Sequence, residues 1–292
     1  MVPCRVWAIS DVHIDYQENF NILTDFARRG HRLDALIIAG DVTDRLDRLQ
    51  QLLEIVVPCF HRVLYVPGNH ELWIRRSDYT DSLQKFDAIM ELCRYHGVQT
   101  EPVKIGQYRQ VWLVPLYSWY DDKPCVDHTL YMDKHTEDHT DQMWGDFFHT
   151  RWPESMTLPI AAHFASLNEP FLAWNFDAPI ISFSHFLPRQ ELIFNRQYTE
   201  AELANIVKMY DPHPDFNFSR VAGSTRILRQ IQQLGSKVHV YGHQHRNRVR
   251  VLDGVTYISH CMGYPKERSL GYVKADAMTP RCIWREDTGF CQ

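Results

Sequence analysis

The sequence has no apolar stretch long enough to cross a membrane or to direct secretion. Its N-terminal segment, Met-Val-Pro-Cys-Arg-Val-Trp-Ala-Ile-Ser, is interrupted by Asp11 before it reaches the length of a signal peptide. No other segment approaches the roughly 18 consecutive apolar residues that a spanning helix requires. These absences predict a soluble protein that has no membrane partner and is located in the cytoplasm.

Paired cysteines and an excess of positive charge are also absent. The seven cysteines are odd in number and never form a C-x-x-C pair, which excludes a zinc-finger or disulfide framework and favours reduced thiols. The net charge is −5, which argues against a broad nucleic-acid surface. We therefore expect nucleic acid not to be a partner.

What the sequence does have is a large apolar fraction and many histidines. Apolar residues make up 45% and aromatic residues 13% of the 292 residues, which is ample for a packed core. No internal repeat and no shift in composition marks a domain boundary, so a single domain over residues 1–292 is predicted. The 16 histidines point to metal or proton chemistry.

Apolar runs and helical periodicities alternate along the chain. This order is typical of an α/β sheet. Strands are predicted at 5–10, 36–39, 63–66, 111–115, 179–184 and 238–241, with a hairpin of 249–252 and 256–258. Helices are predicted at 19–29, 46–57 and 79–95, at 199–210 after a capping box that begins at Thr199, and between Ser224 and Gly235.

The alternation stops between residues 117 and 160, which are rich in Trp, Tyr, His and Asp. A flexible linker would lack these aromatic residues. Long ordered loops in compact domains are often functional, so we interpret this segment as an insert beside the functional site.

Five polar clusters follow predicted strands. Open α/β sheets bind ligands at the carboxyl ends of their strands, and an isolated carboxylate buried there is costly unless a cation accompanies it. Asp41 is such a carboxylate, and Asp11 and His13 are two apart, so they can bind one ion together. The clusters are Asp11-x-His13, Gly40-Asp41, Gly68-Asn69-His70-Glu71, His185 and Gly242-His243-Gln244-His245.

This ordered set resembles the calcineurin-like metallophosphoesterase family, whose pattern is D-x-H, G-D, G-N-H-[ED], a single His and G-H-x-H. The resemblance extends from residue 11 to residue 245. It implies an α/β fold, namely a four-layer α/β/β/α sandwich of two mixed β-sheets flanked by helices, with two metal ions at the strand ends.

Carried over position by position, the resemblance assigns seven ligands. One ion would bind Asp11, His13, Asp41 and His245, and the other would bind Asp41, Asn69, His185 and His243. Imidazole, carboxylate and amide ligands without thiolate suit Mn, Fe, Zn or Co. Two ions about 3.5–4 Å apart can hold a bridging hydroxide that attacks phosphorus. The resemblance makes His70 the general acid or a stabiliser of the transition state.

The resemblance therefore implies a metal-dependent phosphoesterase that hydrolyses a phosphomonoester or phosphodiester of a small substrate. One alternative is a catalytically silent scaffold on the same fold, as in the retromer subunit that has lost ligands. Within the enzyme class, a cyclic-nucleotide phosphodiesterase remains open. A protein phosphatase is suggested by Asp44-Arg45, where Arg45 either binds phosphate or begins a helix.

Several other residues have both a functional and an ordinary interpretation. His128, His135, His139 and His149 would form a third metal site or be solvated loop residues. Trp119 and Tyr120 would line a cleft or pack in the core. Glu71 and Asp44 would orient ligand histidines. His163 follows a helical pattern and is not expected to be a ligand, and Gly263-Tyr264-Pro265 would lie near the site or form a plain turn.

Overall fold

A computed structural model describes residues 3–123, 127–133, 137–194, 215–273 and 278–291. Its strands form two mixed sheets, as predicted. The first has the order β11-β10-β1-β2-β3, in which β1, β2 and β3 are parallel and β10 pairs antiparallel with both β1 and β11. These strands are β1 (Arg5–Ile9), β2 (His31–Ala39), β3 (Phe60–Val66), β10 (Arg281–Arg285) and β11 (Gly289–Phe290).

The second sheet has the order β4-β5-β6-β7-β9-β8. Its central strands β5, β6, β7 and β9 are parallel, and the edge strands β4 and β8 pair antiparallel with their neighbours. These strands are β4 (Val103–Ile105), β5 (Val111–Pro115), β6 (Ile180–Phe183), β7 (Val238–Tyr241), β8 (Arg248–Leu252) and β9 (Val255–Ser259).

The helices form two groups. In the first, α2 contacts both α1 and α3, and in the second, α8 contacts both α6 and α7. The first group is α1 (Gln17–Ala27), α2 (Leu46–Val56) and α3 (Ser82–His96); the second is α6 (Ile160–Ser166), α7 (Glu169–Leu172) and α8 (Thr225–Leu234). Short helices are α4 (Thr140–Met143), α5 (Asp146–His149) and α9 (Pro265–Ser269), with 3₁₀ turns at Val57–Cys59, His70–Leu72, Gln190–Ile193 and Phe218–Arg220.

The parallel strands are buried on both faces because helices cover one side and the other sheet covers the other. Ile37 and Ile38 are adjacent in β2, point to opposite faces and are both fully buried. The main hydrophobic core joins them to Val111 of β5 and Val240 of β7. The predicted α/β sandwich of two mixed sheets flanked by helices is thus confirmed.

The helix predicted between Ser224 and Gly235 forms as expected. The Ser224 hydroxyl accepts a hydrogen bond from the Arg226 amide, and Gly235 ends α8 in the left-handed region at φ 64°. The helix predicted at 199–210 lies outside the described residues. In the described part of the chain, no helix is long and apolar enough to cross a membrane.

Strand β2 begins earlier than predicted because its first residues are polar yet paired. Asp34 accepts a hydrogen bond from the Trp7 indole at 2.9 Å and lies 2.9 Å from Nδ1 of His31, which is buried. An apolar pattern cannot reveal such a satisfied polar start. The short strands β4, β10 and β11 were also missed.

Candidate metal centre and active site

The predicted site residues converge at one place, the carboxyl ends of five strands. Strands β1, β2 and β3 of one sheet and β6 and β7 of the other end beside them. The predicted metal ligands are all buried: Asp11, His13, Asp41, Asn69, His185, His243 and His245. The fold therefore brings distant polar clusters into a single pocket.

The backbone is unusual at these strand ends. Seven described residues other than glycine have positive φ, and five of them are predicted ligands: Asp11 (49°), His13 (46°), Asp41 (55°), His243 (74°) and His245 (52°). This left-handed conformation is unfavourable for residues with a Cβ atom and is concentrated at functional sites. Hydrogen bonds stabilise it, because the amides of Asp11 and His13 donate to the carbonyls of Gly40 and Asp41 at 2.9 and 3.0 Å.

Two glycines allow the loops to approach one another. A Cβ atom on Gly68 would lie 2.1 Å from Oδ1 of Asp41, and one on Gly40 would lie 2.5 Å from Nδ1 of His185. Either contact is shorter than atoms tolerate. The glycines of the G-D and G-N-H-E segments are therefore needed for the site to close.

The ligand atoms form two clusters that share Asp41. Asp11, His13, Asp41 and His245 form the first, and Asp41, His185 and His243 form the second, with the candidate ligand atoms of each cluster within 4.8 Å of one another. The Asn69 carbonyl oxygen joins the second cluster, 3.2 Å from His185 Nε2 and 3.1 Å from His243 Nδ1. We call them the first and second metal positions.

The ring nitrogens are arranged to offer lone pairs to these positions. His185 Nδ1 lies 2.9 Å from the Ala39 carbonyl, and His243 Nε2 lies 2.9 Å from the Val221 carbonyl. Since a carbonyl can only accept, these nitrogens carry hydrogen, and the opposite nitrogens, His185 Nε2 and His243 Nδ1, are the ones that would bind an ion once they carry no proton. His13 Nε2 and His245 Nε2 face one another at 3.0 Å, an arrangement that a shared cation would stabilise.

The buried histidines of the site differ in pKa according to the carboxylates beside them. Burial opposes charge on His185, yet the Asp41 carboxylate raises the pKa of this imidazole to about 9. Burial likewise opposes charge on His245, whose hydrogen bonds to Asp11 and Glu267 raise its pKa to about 10. Burial lowers the pKa of His243 to about 3. Bound cations would supply the same neutralising charge, so the donor set fits a metal pair.

Glu71 and Asp44 do not orient ligand histidines, contrary to the prediction. The Glu71 carboxylate accepts hydrogen bonds from the amides of Asp41 (3.0 Å), Val42 (2.5 Å) and Gly68 (2.7 Å), and so joins the two loops. Asp44 instead forms an ion pair with Arg75 at 2.7 Å.

Two acidic residues that were not predicted, Glu267 and Asp146, orient side chains of the site. Glu267 Oε2 lies 2.7 Å from His245 Nδ1 and also accepts the Tyr264 amide at 2.7 Å. Tyr264 is the N-cap residue of α9 and Glu267 is the third residue of this helix, a capping arrangement that the sequence contains but that did not indicate a site. Asp146 accepts the Asn69 side-chain amide at 2.9 Å, and no sequence signal marked it.

His70 lies at the edge of the two positions and faces the pocket. Its Nε2 atom is 3.9 Å from Asp41 Oδ2, and its ring stacks on Trp73 with centroids 3.8 Å apart. The Tyr264 hydroxyl lies 3.5 Å from the same Nε2 atom. Of the two interpretations of Gly263-Tyr264-Pro265, the one that places it near the site is correct.

A cavity of about 350 Å³ opens onto this centre. Beside the polar groups of the metal positions, its walls include the aromatic residues Trp73, Trp144, Phe218 and Tyr264, and Met143 also lines it. None of the described lining residues is Arg or Lys. Arg45 lies at the start of α2 and pairs with Asp47 at 2.6 Å, in agreement with the helix-start interpretation.

The remaining histidines and aromatic residues follow the ordinary interpretation. Among the described residues, no third group that could hold a metal includes His128, His139 or His149, and His135 lies outside them. Trp119 and Tyr120 are buried in the main core, so they do not line the cleft. His163 lies in helix α6.

Both a family model and individual known proteins are similar to this chain. The model of the calcineurin-like phosphoesterase family matches residues 4–247. [Acyl-carrier-protein] phosphodiesterase PptH of Mycobacterium tuberculosis is 27% identical over 279 residues, which cover 90% of this chain and 78% of that protein. Uncharacterized protein L509 of Acanthamoeba polyphaga mimivirus is 26% identical over 94 residues, which cover 30% of this chain and 33% of that protein.

A similar fold is found in the crystal structure of the phosphopantetheinyl hydrolase PptH from Mycobacterium tuberculosis. The TM-score is 0.72 at 21% identity, over 97% of this chain and 96% of that one. The family is binuclear and metal-dependent, and its match covers most of the chain. The chain therefore belongs to the calcineurin-like phosphoesterase family and is a metal-dependent phosphoric ester hydrolase.

Proposed function

We propose that this enzyme hydrolyses the phosphodiester that joins a phosphopantetheinyl group to an acyl carrier protein. Two findings support the proposal. A relative matched over 90% of the chain is an acyl-carrier-protein phosphodiesterase, and the cavity over the two metal positions has four aromatic residues and no Arg or Lys among its described lining residues. The cavity is the observation that carries the choice of substrate class.

The lack of cationic side chains favours a diester. A phosphomonoester carries up to two negative charges at neutral pH, and enzymes that bind it commonly use Arg or Lys clamps in addition to metal ions. A diester carries one negative charge, which two metal ions can neutralise without further cations. Trp73, Trp144, Phe218 and Met143 would then contact the uncharged arm of the phosphopantetheinyl group.

We assign the metal ligands as the sequence predicted. Asp11, His13, Asp41 and His245 would hold one ion, and Asp41, Asn69, His185 and His243 the other, and nitrogen and oxygen donors without sulfur suit Mn, Fe, Zn or Co. When bound, the ions activate a water molecule and neutralise charge on the phosphoryl oxygens.

We assign His70 the role of protonating the leaving group. As the water oxygen bonds to phosphorus, the bond from phosphorus to the carrier-protein oxygen breaks, and His70 Nε2 donates a proton to that oxygen. The products are phosphopantetheine and a carrier protein with a free hydroxyl. Stacking on Trp73 and the nearby Tyr264 hydroxyl keep the His70 ring directed into the cavity.

We also propose that the enzyme acts in the cytoplasm. Six described cysteines, at positions 4, 59, 93, 261, 282 and 291, are free thiols. Free thiols are the usual state in a reducing compartment.

The test compares three substrates with the Mn²⁺-loaded protein: phosphopantetheinyl acyl carrier protein, bis(p-nitrophenyl) phosphate and p-nitrophenyl phosphate. We expect the carrier protein to be cleaved with the highest kcat/KM, the diester next and the monoester least. Mass spectrometry identifies the released phosphopantetheine. A higher kcat/KM for the monoester than for both diesters would contradict the proposal.

Met143 provides a second test of the substrate class, because it lines the cavity and is 49% exposed. Met143→Glu places a negative charge where the uncharged arm would lie. We expect KM for the phosphopantetheinyl carrier protein to rise about tenfold, equivalent to roughly 1.4 kcal/mol, with little change for bis(p-nitrophenyl) phosphate. Equal changes for both substrates would contradict contact with the arm.

A further inference from the structure

Asp146 is a buried carboxylate from the 117–160 insert that contacts the metal centre indirectly. It is the first residue of α5 and is 1% exposed. Its Oδ1 atom accepts the Asn69 side-chain amide at 2.9 Å and the Trp73 indole at 2.6 Å, and its Oδ2 atom accepts the Trp144 indole at 2.7 Å. All three partners are N–H donors, and each belongs to the site.

The hydrogen bond from Asn69 Nδ2 to Asp146 determines which end of the Asn69 side-chain amide faces the second metal position. With Nδ2 bonded to Asp146, Oδ1 points to His185 Nε2 and His243 Nδ1, at 3.2 and 3.1 Å. If the amide turned over, its NH₂ group would face that position, and NH₂ cannot bind a cation. An ionised carboxylate accepts and never donates, so it stabilises only the productive orientation.

The other two contacts fix the walls of the cavity around the reacting groups. Trp73 is the platform on which the His70 ring stacks, with centroids 3.8 Å apart. Trp144 lies edge-on to His243 at 5.6 Å and lines the cavity. Asp146 thus contacts Trp73, on which the proposed general acid His70 stacks. It also contacts Trp144, which packs against the proposed ligand His243.

We propose that Asp146 is a positioning residue through which the 117–160 insert controls binding of the ion at the second metal position. The inference rests on the ligand assignment made under the proposed function. It gives the described part of the insert a role at the site: Asp146 supplies an acceptor that the two sheets lack among the described contacts of Asn69. Asp146 acts through Asn69 and touches no substrate.

The test compares Asp146→Asn with a matched control, Asp141→Asn. Asp141 lies in the same insert, in α4, and its exposed carboxylate pairs with Arg220. The Asp146→Asn substitution would direct an NH₂ group at one or more of the three donors, whereas Asp141→Asn changes the pair with Arg220 and none of those three contacts. Metal-free full-length proteins are titrated with Mn²⁺ by calorimetry, and the paramagnetic resonance spectrum reports whether two Mn²⁺ ions are coupled.

For the wild type and Asp141→Asn, we expect two ions and a coupled spectrum. For Asp146→Asn, we expect one ion to bind as before and the other about 10–100-fold more weakly, the loss typical of an outer-sphere partner. Its spectrum should become that of isolated Mn²⁺. A wild type that does not bind two ions would refute the ligand assignment itself. Two unaltered ions in Asp146→Asn would refute only the role of Asp146.

A double-mutant cycle separates positioning from general support of the fold. If Asp146 acts through Asn69, Asp146→Asn should weaken binding in the wild-type background and have little further effect in Asn69→Ala. Additive losses would overturn the proposal. If Asp146→Asn does not fold, Asp146→Ser replaces it, because its smaller side chain leaves room for water to accept the three N–H groups. The same loss of one ion is expected, and thermal unfolding of the metal-free proteins reports folding separately.

Discussion

The two metal positions differ in the chemical groups that would bind their ions. The first includes two carboxylates, Asp11 and Asp41, whereas the second has a share of Asp41 and the neutral amide of Asn69. The first therefore has the larger negative charge, and we expect it to hold its ion more tightly. The positions also differ in support, because Glu267 fixes His245 while Asp146 fixes Asn69.

Removing the shared residue should weaken ion binding at both metal positions. In Asp41→Asn, both lose a charged ligand, so we expect neither Mn²⁺ to bind stoichiometrically and kcat/KM to fall by more than the roughly 10–100-fold that follows loss of an outer-sphere partner. Metal analysis after desalting and hydrolysis of bis(p-nitrophenyl) phosphate measure the two effects. Retention of one tightly bound ion would show that Asp41 is not shared.

Substitution of His70 should leave both positions intact while slowing the reaction. With His70→Gln, we expect kcat to fall by about 10²–10⁴-fold, the usual contribution of a general acid. Metal content should stay at the wild-type value, since His70 belongs to neither cluster. The loss should be smaller for a substrate with a nitrophenolate leaving group, which needs less protonation. An equal loss for all substrates would argue against proton donation.

Glu267→Gln should weaken only the first position. Its carboxylate accepts from His245 Nδ1 at 2.7 Å, and a glutamine cannot stabilise that ring as well, so we expect about 10–100-fold weaker binding of one ion. Calorimetry should show the second ion unaffected, the reverse of the result expected for Asp146→Asn. Glu18→Gln is the control, because Glu18 is exposed and pairs with Arg268. Weakening of both ions would mean that the supports are not separate.

His239 shows the effect of burial on the pKa of a histidine when no carboxylate contributes to the shift. It lies in β7, accompanied by the hydroxyls of Ser182 and Ser184 at 2.9 and 3.1 Å, and burial lowers its pKa from 6.5 to about 3. Below pH 6.5 the unfolded chain binds a proton that the folded chain does not, so stability is lost as the pH falls.

At pH 5 this loss is about 2 kcal/mol, from 1.36 kcal/mol for each pH unit. His239→Gln removes the titrating group and should flatten the dependence by that amount. Urea unfolding of the metal-free proteins at pH 7.5 and pH 5 measures the difference. An unchanged pH dependence would mean that His239 is protonated in the folded state.

Sequence patterns predicted the parts of the site that depend on local order along the chain. Asp11, Asp41 and His243 each follow an apolar run after one intervening residue, and such runs form buried parallel strands whose ends meet at one edge. The strands themselves were found for the same reason. Their ends were less accurate where polar residues such as His31 and Asp34 are paired within the fold.

The supporting residues could not be predicted because their role arises only from tertiary contacts. Asp146 is 77 residues from Asn69, and Glu267 is 22 residues from His245. Nothing in the spacing of either acid distinguishes it from a solvated surface residue. Glu71 was recognised from its motif, but the role predicted for it was wrong. Its carboxylate accepts hydrogen bonds from backbone amides and does not orient a ligand histidine.

The left-handed backbone at the strand ends has a consequence for protein engineering. Glycine at Asp11, His13, Asp41, His243 or His245 would relieve a conformational cost of roughly 1–2 kcal/mol at each position. A selection for heat resistance alone would therefore be expected to enrich variants in which glycine replaces a proposed ligand. The most thermally stable variants from such a library should lack catalytic activity. Thermal screening of this enzyme therefore requires a parallel activity assay.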